Sequence, residues 1–219
     1  KIVAAPIELL QDSTIDIESF IRTRLAQRLG RIGNKHFTVG AGTTLPDGVM
    51  ARAKVGKTAA TGQVASIEYD DIVDVIHSVD PAYRGASCAF MVSDSMLKLI
   101  RKLKDQADMP IWQPGRDVNG IIQGIGVNGG FTAQDAPAVF GTLLGYPVFV
   151  NNDIAEPAAN AITLAFGDFS YYKIRDAMDV QMFRFTDSAY TKLGQVGFLA
   201  WCRMGGNLLD TNAVKTFKQ

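Results

Sequence analysis

The longest helical pattern in the chain lies directly after Ser13, and it constrains the fold more than any other feature. Apolar residues recur there at helical spacing, and they are Ile17, Phe20, Ile21, Leu25, Leu29 and Ile32. With Ser13 as the N-cap, the spacing predicts one helix over residues 14–37, about 36 Å long. We expect Phe20 and Leu25 to anchor this helix on a sheet. A stiff helix beside an elongated sheet makes an extended plate, and such plates can tile through heterologous contacts.

Helices and strands follow in mixed order, without a regular βαβ array, which predicts the α+β class. One helix is expected over residues 69–79, with an apolar stripe formed by Tyr69, Ile72, Val73 and Ile76. Another is expected after Ser93 as N-cap, with inward side chains from Met96, Leu97, Ile100 and Leu103.

Runs rich in apolar and β-branched residues predict strands over residues 86–92, 146–150, 161–166 and 197–203. Residues 170–176 and 180–186 are predicted to pair as a hairpin that turns at Ala177, Met178 and Asp179. Segments rich in glycine, proline and threonine predict loops over residues 40–48, 58–63 and 110–140.

The chain is electrically balanced, with 22 Lys and Arg against 22 Asp and Glu in 219 residues. Overall charge therefore excludes a protein that binds polyanions with its whole surface, although weak local contact with packaged DNA stays compatible. The hydrophobic share of 47% suffices for one large domain or two small ones. No stretch is long and apolar enough to predict a membrane span, and no signal peptide is visible.

Two cysteines, Cys88 and Cys202, lie in apolar runs and are predicted to be buried free thiols, which fits a reducing cytoplasm. The chain starts at Lys1 without a methionine. We therefore expect it to be a processed product or a cut piece of a longer protein.

A Gly-Lys-Thr sequence at residues 56–58 resembles the end of a phosphate-binding loop. That loop needs a glycine five residues before Gly56, where this chain has Ala51, and it needs a helix directly after the threonine. Residues 59–62 are Ala-Ala-Thr-Gly, a poor start for a helix. The segment is therefore interpreted as a solvated loop that binds no nucleotide.

Residues 124–129 match the Gly-x-Gly-x-x-Gly pattern of dinucleotide sites. Such a site lies between a strand and a helix and is followed about 20 residues later by an acid on the ribose. Residues 130–132 continue no helix, and Asp153 comes too late in the sequence. The match is interpreted as a flexible glycine loop.

No set of residues suited to catalysis or to metal binding is visible. His36 and His77 each fall in the last turn of a predicted helix, where a cation interacts favourably with the helix dipole. Glu68, Asp70, Asp71 and Asp74 fit a solvated helix start better than a cation site. We therefore predict no catalytic residue, no cofactor and no metal, and a protein that is not an enzyme.

Five short motifs occur in a fixed order along the chain: ELLQDS at residues 8–13, LKD at 103–105, LLGYPV at 143–148, FGDFS at 166–170 and YYKIRD at 171–176. Taken together they resemble the major capsid protein of tailed phages, of the Hong Kong 97 type. The resemblance implies a peripheral domain with a long spine helix and an elongated sheet, and an axial domain that converges at the capsomer centre.

The resemblance also implies a division of the chain. Residues 1–66 would form the peripheral domain with the spine helix, and residues 67–160 the axial domain. Residues 161–200 would return to the peripheral sheet, and residues 201–219 would re-enter the axial domain. The family's N-terminal arm and extended hairpin precede the first motif, so both are expected to be missing from this chain, and no covalent crosslinking is predicted.

By resemblance, the chain is a structural capsid protein that self-assembles into an icosahedral shell enclosing DNA. Its expected partners are copies of itself in pentamers and hexamers, with a scaffold, a prohead protease and a portal, and weak non-specific contact with packaged DNA. Its expected location is the virion, and the host cytoplasm during assembly. The alternatives are an encapsulin-like nanocompartment shell protein and, from a different class, a nucleotide-binding enzyme.

Overall fold

Nine strands lie in the residues that the computed structural model describes, which are 2–112 and 139–219. They are β1 (Ile2–Pro6), β2 (Lys54–Thr58), β3 (Cys88–Val92), β4 (Val139–Leu143), β5 (Tyr146–Val150), β6 (Ile162–Asp168), β7 (Tyr172–Phe185), β8 (Gln195–Leu208) and β9 (Val214–Lys218). They form a three-stranded antiparallel sheet in the order β1-β8-β7 and a six-stranded mixed sheet in the order β2-β9-β6-β3-β5-β4.

Six α-helices occur in the same described residues. They are α1 (Ile7–Asp12), α2 (Ile17–Val39), α3 (Val49–Arg52), α4 (Tyr69–Ser78), α5 (Asp94–Arg101) and α6 (Ser188–Thr191). Short 3₁₀ turns lie at Pro81–Tyr83 and Phe169–Tyr171. The combination of helices with two largely antiparallel sheets confirms the predicted α+β class.

The predicted long helix is present as α2, but it begins three residues later than expected. Asp16 is its N-cap and accepts a hydrogen bond from the Ser19 amide at 3.1 Å. Ser13 instead accepts from the Ile15 amide at 3.1 Å, within a local turn. The prediction of Ser13 as the cap is therefore wrong, because two residues of this segment can cap and the one nearer the helix does so.

The packing of α2 confirms one predicted anchor and corrects the other. Leu25 is 3% exposed, whereas Phe20 is 52% exposed. Ile32, also placed on the apolar stripe, is exposed as well. The buried side of α2 packs on the three-stranded sheet in a core formed by Ala5, Ile21, Leu25, Val196, Phe198 and Ala200. The apolar stripe read from the sequence is thus wider than the side of the helix that the sheet covers.

The six-stranded sheet contains the predicted strands β3, β5 and β6. Helices α4 and α5 were also predicted, and Ser93 caps α5 as expected by accepting from the Met96 amide at 3.3 Å. Both helices contribute to one core with the sheet, whose largest fully buried side chains include Phe90, Phe166, Phe217, Ile72, Met96 and Leu164. The predicted apolar stripe of α4 is partly wrong, because Tyr69 is exposed and Val73 is only half-buried. Val75, which was not placed on the stripe, is buried.

The predicted hairpin over residues 170–186 is wrong. Residues 172–185 form the single strand β7, which pairs along its length with β8, from Tyr172 opposite Leu208 to Phe185 opposite Gly197. Asp179 lies within β7, where the register shifts between Met178 and Gln181. A bulge therefore accommodates the residues that had the composition of a turn. The predicted strand over residues 197–203 is part of the longer β8.

The loop predicted over residues 40–48 is closed by an isolated bridge between Ala41 and Asp47. Four strands and three helices were not predicted: β1, β2, β4, β9, α1, α3 and α6. Strand β2 pairs in parallel with β9, far along the chain, so its partner cannot be read from neighbouring residues. The glycine pattern at residues 124–129, and most of the predicted loop over residues 110–140, lie outside the described residues.

Candidate assembly surface

The Gly-Lys-Thr sequence lies on strand β2 and not in a loop. The Lys57 ammonium donates a hydrogen bond to the Asp74 carboxylate at 2.5 Å and lies 3.9 Å from the Asp71 carboxylate. The hydrogen bond to Asp74 is the main cause that raises the pKa of Lys57. An added Cβ at Gly56 would collide with the Ser78 side chain, so the glycine serves packing against α4. An extended strand cannot wrap its amides around a phosphate, and the lysine already has two carboxylate partners.

The histidines occupy the helix ends where the sequence placed them. His36 lies in the last turn of α2 and His77 in the last turn of α4, with the His77 Nδ1 atom 3.3 Å from an Arg84 guanidinium nitrogen. Among the described residues, no group of three His, Cys, Asp or Glu side chains could hold a metal ion. In the same residues, no helix is long and apolar enough to cross a membrane.

The two cysteines differ in their surroundings. Cys88 is buried, its thiol donates to the Tyr83 carbonyl at 3.0 Å, and burial raises the pKa of the thiol. Cys202 is only half-buried, so the prediction of two buried thiols holds for Cys88 and is wrong for Cys202. Both are free thiols, and a raised pKa makes Cys88 a poor nucleophile at neutral pH.

The side of the three-stranded sheet that faces away from α2 carries an uncovered apolar surface. Ile2 and Phe183 both lie opposite Leu199, one on each side of it, and Trp201 follows two residues later on β8. Residues opposite each other in antiparallel strands, and residues two apart on one strand, share a face. We call this surface the outer sheet face, and its residues are Ile2, Phe183, Phe185, Leu199 and Trp201.

The outer sheet face is exposed although its residues are large and apolar. Trp201 is 54% exposed, Ile2 52% and Phe183 44%. The chain itself covers the end of this face at Gly197. The Tyr190 ring lies over that glycine, and its Cζ atom would be 2.8 Å from an added Cβ. Exposed apolar surfaces of this kind are typical of interaction sites.

A polar network joins α2 to the loop that follows β5. The Asn34 side-chain amide donates to Asn151 at 2.9 Å and to Asp153 at 2.5 Å, and the Asn151 amide donates to the Thr38 hydroxyl at 2.8 Å. Asn34, Asn151 and Asp153 line an open cleft of about 380 Å³ beside Met91 and Phe149. Since the polar atoms of the cleft bond mainly to one another, its chemistry fits a structural link between the two sheets.

A comparison with protein-family models identifies the lineage. The model described as "Phage capsid family" matches residues 1–219. The chain belongs to the phage capsid family. Its fold agrees with that assignment and with the Hong Kong 97-type architecture implied by the sequence motifs. The comparison with curated proteins gave no match.

Solved structures of capsids share the fold of this phage capsid protein. The capsid of a native GTA particle, computed with C5 symmetry, is 29% identical with a TM-score of 0.79, and the match covers 100% of this chain and 70% of that one. Microbacterium phage Oxtober96 gives 18% identity and a TM-score of 0.66 over 99% of this chain and 70% of that one. Gordonia phage Cozz gives 14% identity and a TM-score of 0.61, and the match covers 100% of this chain and 68% of that one.

Family membership makes the protein a structural major capsid protein. Sequence reasoning identified this role from the ordered motifs but missed the outer sheet face. A signal was present in the period-two alternation of Phe183 and Phe185 around Arg184, and of Leu199 and Trp201 around Ala200. The signal was missed because the predicted hairpin paired residues 180–186 with residues 170–176, whereas they pair with β8.

Proposed function

We propose that the chain assembles with copies of itself into the pentamers and hexamers of an icosahedral shell that encloses DNA. The support is the likeness to a GTA capsid computed with C5 symmetry, combined with an apolar surface that the monomer leaves uncovered. The proposed location is the virion, and the host cytoplasm during assembly. A scaffold, a prohead protease and a portal are proposed assembly partners, and no catalytic role is proposed.

We propose further that the two sheets are the centres of the two capsid domains. The three-stranded sheet with α2 would form the peripheral domain, and the six-stranded sheet with α4 and α5 the axial domain. Each sheet has a hydrophobic core of its own, which supports this division. A third core, in which Leu208 of β8 packs with Ala165 of β6 and Val214 of β9, joins the two sheets. Under this proposal β2 and β6 would belong to the axial domain, because both pair within the six-stranded sheet, whereas the resemblance implied the peripheral part for them.

The outer sheet face is the proposed contact with a neighbouring copy. A shell subunit repeats the same heterologous contact around each symmetry axis. An apolar surface that is exposed in the single subunit would therefore be buried in every copy of the shell. Covering the exposed half of an aromatic ring removes about 100 Å² from water and contributes roughly 2 kcal/mol. Trp201 and Phe183 together would therefore offset a substantial part of the free energy lost in association.

Polar substitutions on the outer sheet face test this contact. We expect the double variant Trp201→Gln with Phe183→Gln to stay folded and to remain dissociated under conditions in which the wild-type protein forms shells. Leu209→Gln is the control, because Leu209 is even more exposed, at 66%, but lies between β8 and β9 and off the outer sheet face. Sedimentation velocity and negative-stain microscopy provide the measurement. If the double variant assembles as the wild type does, the outer sheet face is not the contact.

A further inference from the structure

Positive charge is concentrated on α2, although the whole chain is neutral. Helix α2 carries Arg22, Arg24, Arg28, Arg31 and Lys35, and its one acidic residue is Glu18. The remainder of the chain therefore carries an excess of acidic residues. A local field of this kind attracts anions even when the net charge of the protein is zero.

Four of these cations form one stripe. Arg24, Arg28, Arg31 and Lys35 are spaced by four, three and four residues, which places them along one side of the helix over about 16 Å. All four are exposed. We call them the basic stripe. Like charges at such spacings destabilise an isolated helix, so the arrangement costs stability unless an anion outside the chain compensates it.

Most of the basic stripe has no partner within the described chain. Arg22, which lies off the stripe, pairs with Glu18 at 3.5 Å. Arg24 bonds to Gln27 at 3.2 Å, and its guanidinium lies 5.1 Å from the centre of the Phe20 ring. No ion pair or hydrogen bond joins the side chains of Arg28, Arg31 or Lys35 to another described residue.

Three cations elsewhere in the described chain do have carboxylate partners. Arg52 is paired with Asp47 at 2.7 Å, Lys57 with Asp74 and Lys104 with Asp108. Asp153 is a carboxylate that bonds to Asn34 on α2, and it forms no ion pair with any cation of the basic stripe. Unpaired exposed cations also occur singly elsewhere on the described surface, among them Lys173, Arg175 and Lys192. What distinguishes α2 is that Arg28, Arg31 and Lys35 lie unpaired on consecutive turns of one side of a helix.

We infer that the basic stripe binds the phosphate backbone of double-stranded DNA inside the shell. This inference rests on the proposed function, which supplies the DNA. A line of long, mobile cationic side chains matches a phosphate backbone, which carries about one charge per 1.7 Å of duplex axis. The stripe reads no base sequence, since phosphate contacts carry no sequence information. It also lies on a helix packed against the opposite side of the sheet from the outer sheet face, so subunit contacts would leave it accessible.

The salt dependence of DNA binding tests the inference. With two duplexes of unrelated sequence, fluorescence anisotropy should give equal dissociation constants that weaken between about 50 and 200 mM salt. Three to four released counterions predict a slope of about −3 in the double-logarithmic plot. The triple variant Arg28→Gln, Arg31→Gln, Lys35→Gln should lose at least about tenfold in affinity and most of that slope.

The control removes the same charge elsewhere, with Lys173→Gln, Arg175→Gln and Lys192→Gln, all at exposed positions. It should bind DNA nearly as the wild type does. Equal losses in both triple variants would show a net-charge effect and overturn the inference. Wild-type protein that forms shells but, as dissociated subunits at low salt, binds no duplex would also overturn it, while leaving the proposed function intact. A stripe variant that binds an acidic protein partner less well, with DNA binding unchanged, would assign the stripe to that partner instead.

Discussion

The Asn34 side-chain amide donates a hydrogen bond to the Asp153 carboxylate across 2.5 Å, and this contact links the long helix α2 to the six-stranded sheet. The same amide also reaches Asn151, which bonds onward to Thr38 on the next turn of α2. Two residues of the helix are thereby bound to one loop. Because the link is polar and partly exposed, it orients the helix without contributing a large hydrophobic term.

We expect Asp153→Ala to lower the free energy of unfolding by about 1 kcal/mol, since it removes a charge-assisted hydrogen bond at a partly exposed site. Asn207→Ala, on an exposed position of β8, should change it by less than about 0.5 kcal/mol. Chemical denaturation of both variants provides the measurement. Equal values for the two would show that the link contributes nothing to stability.

The two residues expected to anchor α2 should differ sharply in their effects. Leu25→Ala should cost about 2–5 kcal/mol, because Leu25 is buried against the three-stranded sheet. Phe20→Ala should cost less than about 1 kcal/mol, because its ring is half exposed and the Arg24 guanidinium lies 5.1 Å from the ring centre. Denaturation curves that rank the two variants in the opposite order would contradict the observed side of α2 that faces the sheet.

Gly56 should tolerate no side chain. A Cβ there would collide with Ser78 and would lie 2.9 Å from the Lys215 Cβ, so Gly56→Ala should cost about 1–3 kcal/mol through overpacking. Gly85→Ala is the matched control, because nothing lies within 4 Å of its added Cβ. Thermal unfolding should show a lower Tm for the first variant alone. An unchanged Tm for Gly56→Ala would argue against the packing of β2 beneath α4.

Tyr172 should titrate later than an ordinary tyrosine. Burial is the main cause that raises its pKa from 10 to about 12, and its hydroxyl donates to the Asp47 carbonyl at 2.7 Å. The neutral phenol is the form that the fold favours, so its stabilisation is complete below pH 10 and is lost as the pH rises from 10 to 12. In Tyr172→Phe, the latest step of an ultraviolet tyrosine titration should disappear. If that step persists, another tyrosine is responsible for it.

Local signals explain which parts of the fold could be predicted. Helices α4 and α5 have clear periodicity, and the cap at Ser93 depends on residues only three apart, so both are visible in the sequence. Strand β2 has no such signal, because two lysines and a glycine in five residues become a strand only through pairing with β9. Pairing with β8 likewise makes residues 172–185 the single strand β7, where their own sequence predicted a hairpin.

The candidate surfaces follow the same rule. The cations of the basic stripe are visible in the sequence. Their lack of partners is not, because it depends on where the acidic residues of distant segments lie in the fold. The outer sheet face depends on three strands that meet from opposite ends of the chain, with Ile2 and Phe183 both beside Leu199. Long-range register, and not composition, brings these residues together.

Electron microscopy of particles purified from cells that express the protein is the most direct test of the shell assignment. The account predicts closed isometric shells with fivefold vertices, built from this chain and enclosing DNA that resists added nuclease. A protein that stays strictly monomeric under all conditions, including co-expression with its scaffold and protease, would contradict it.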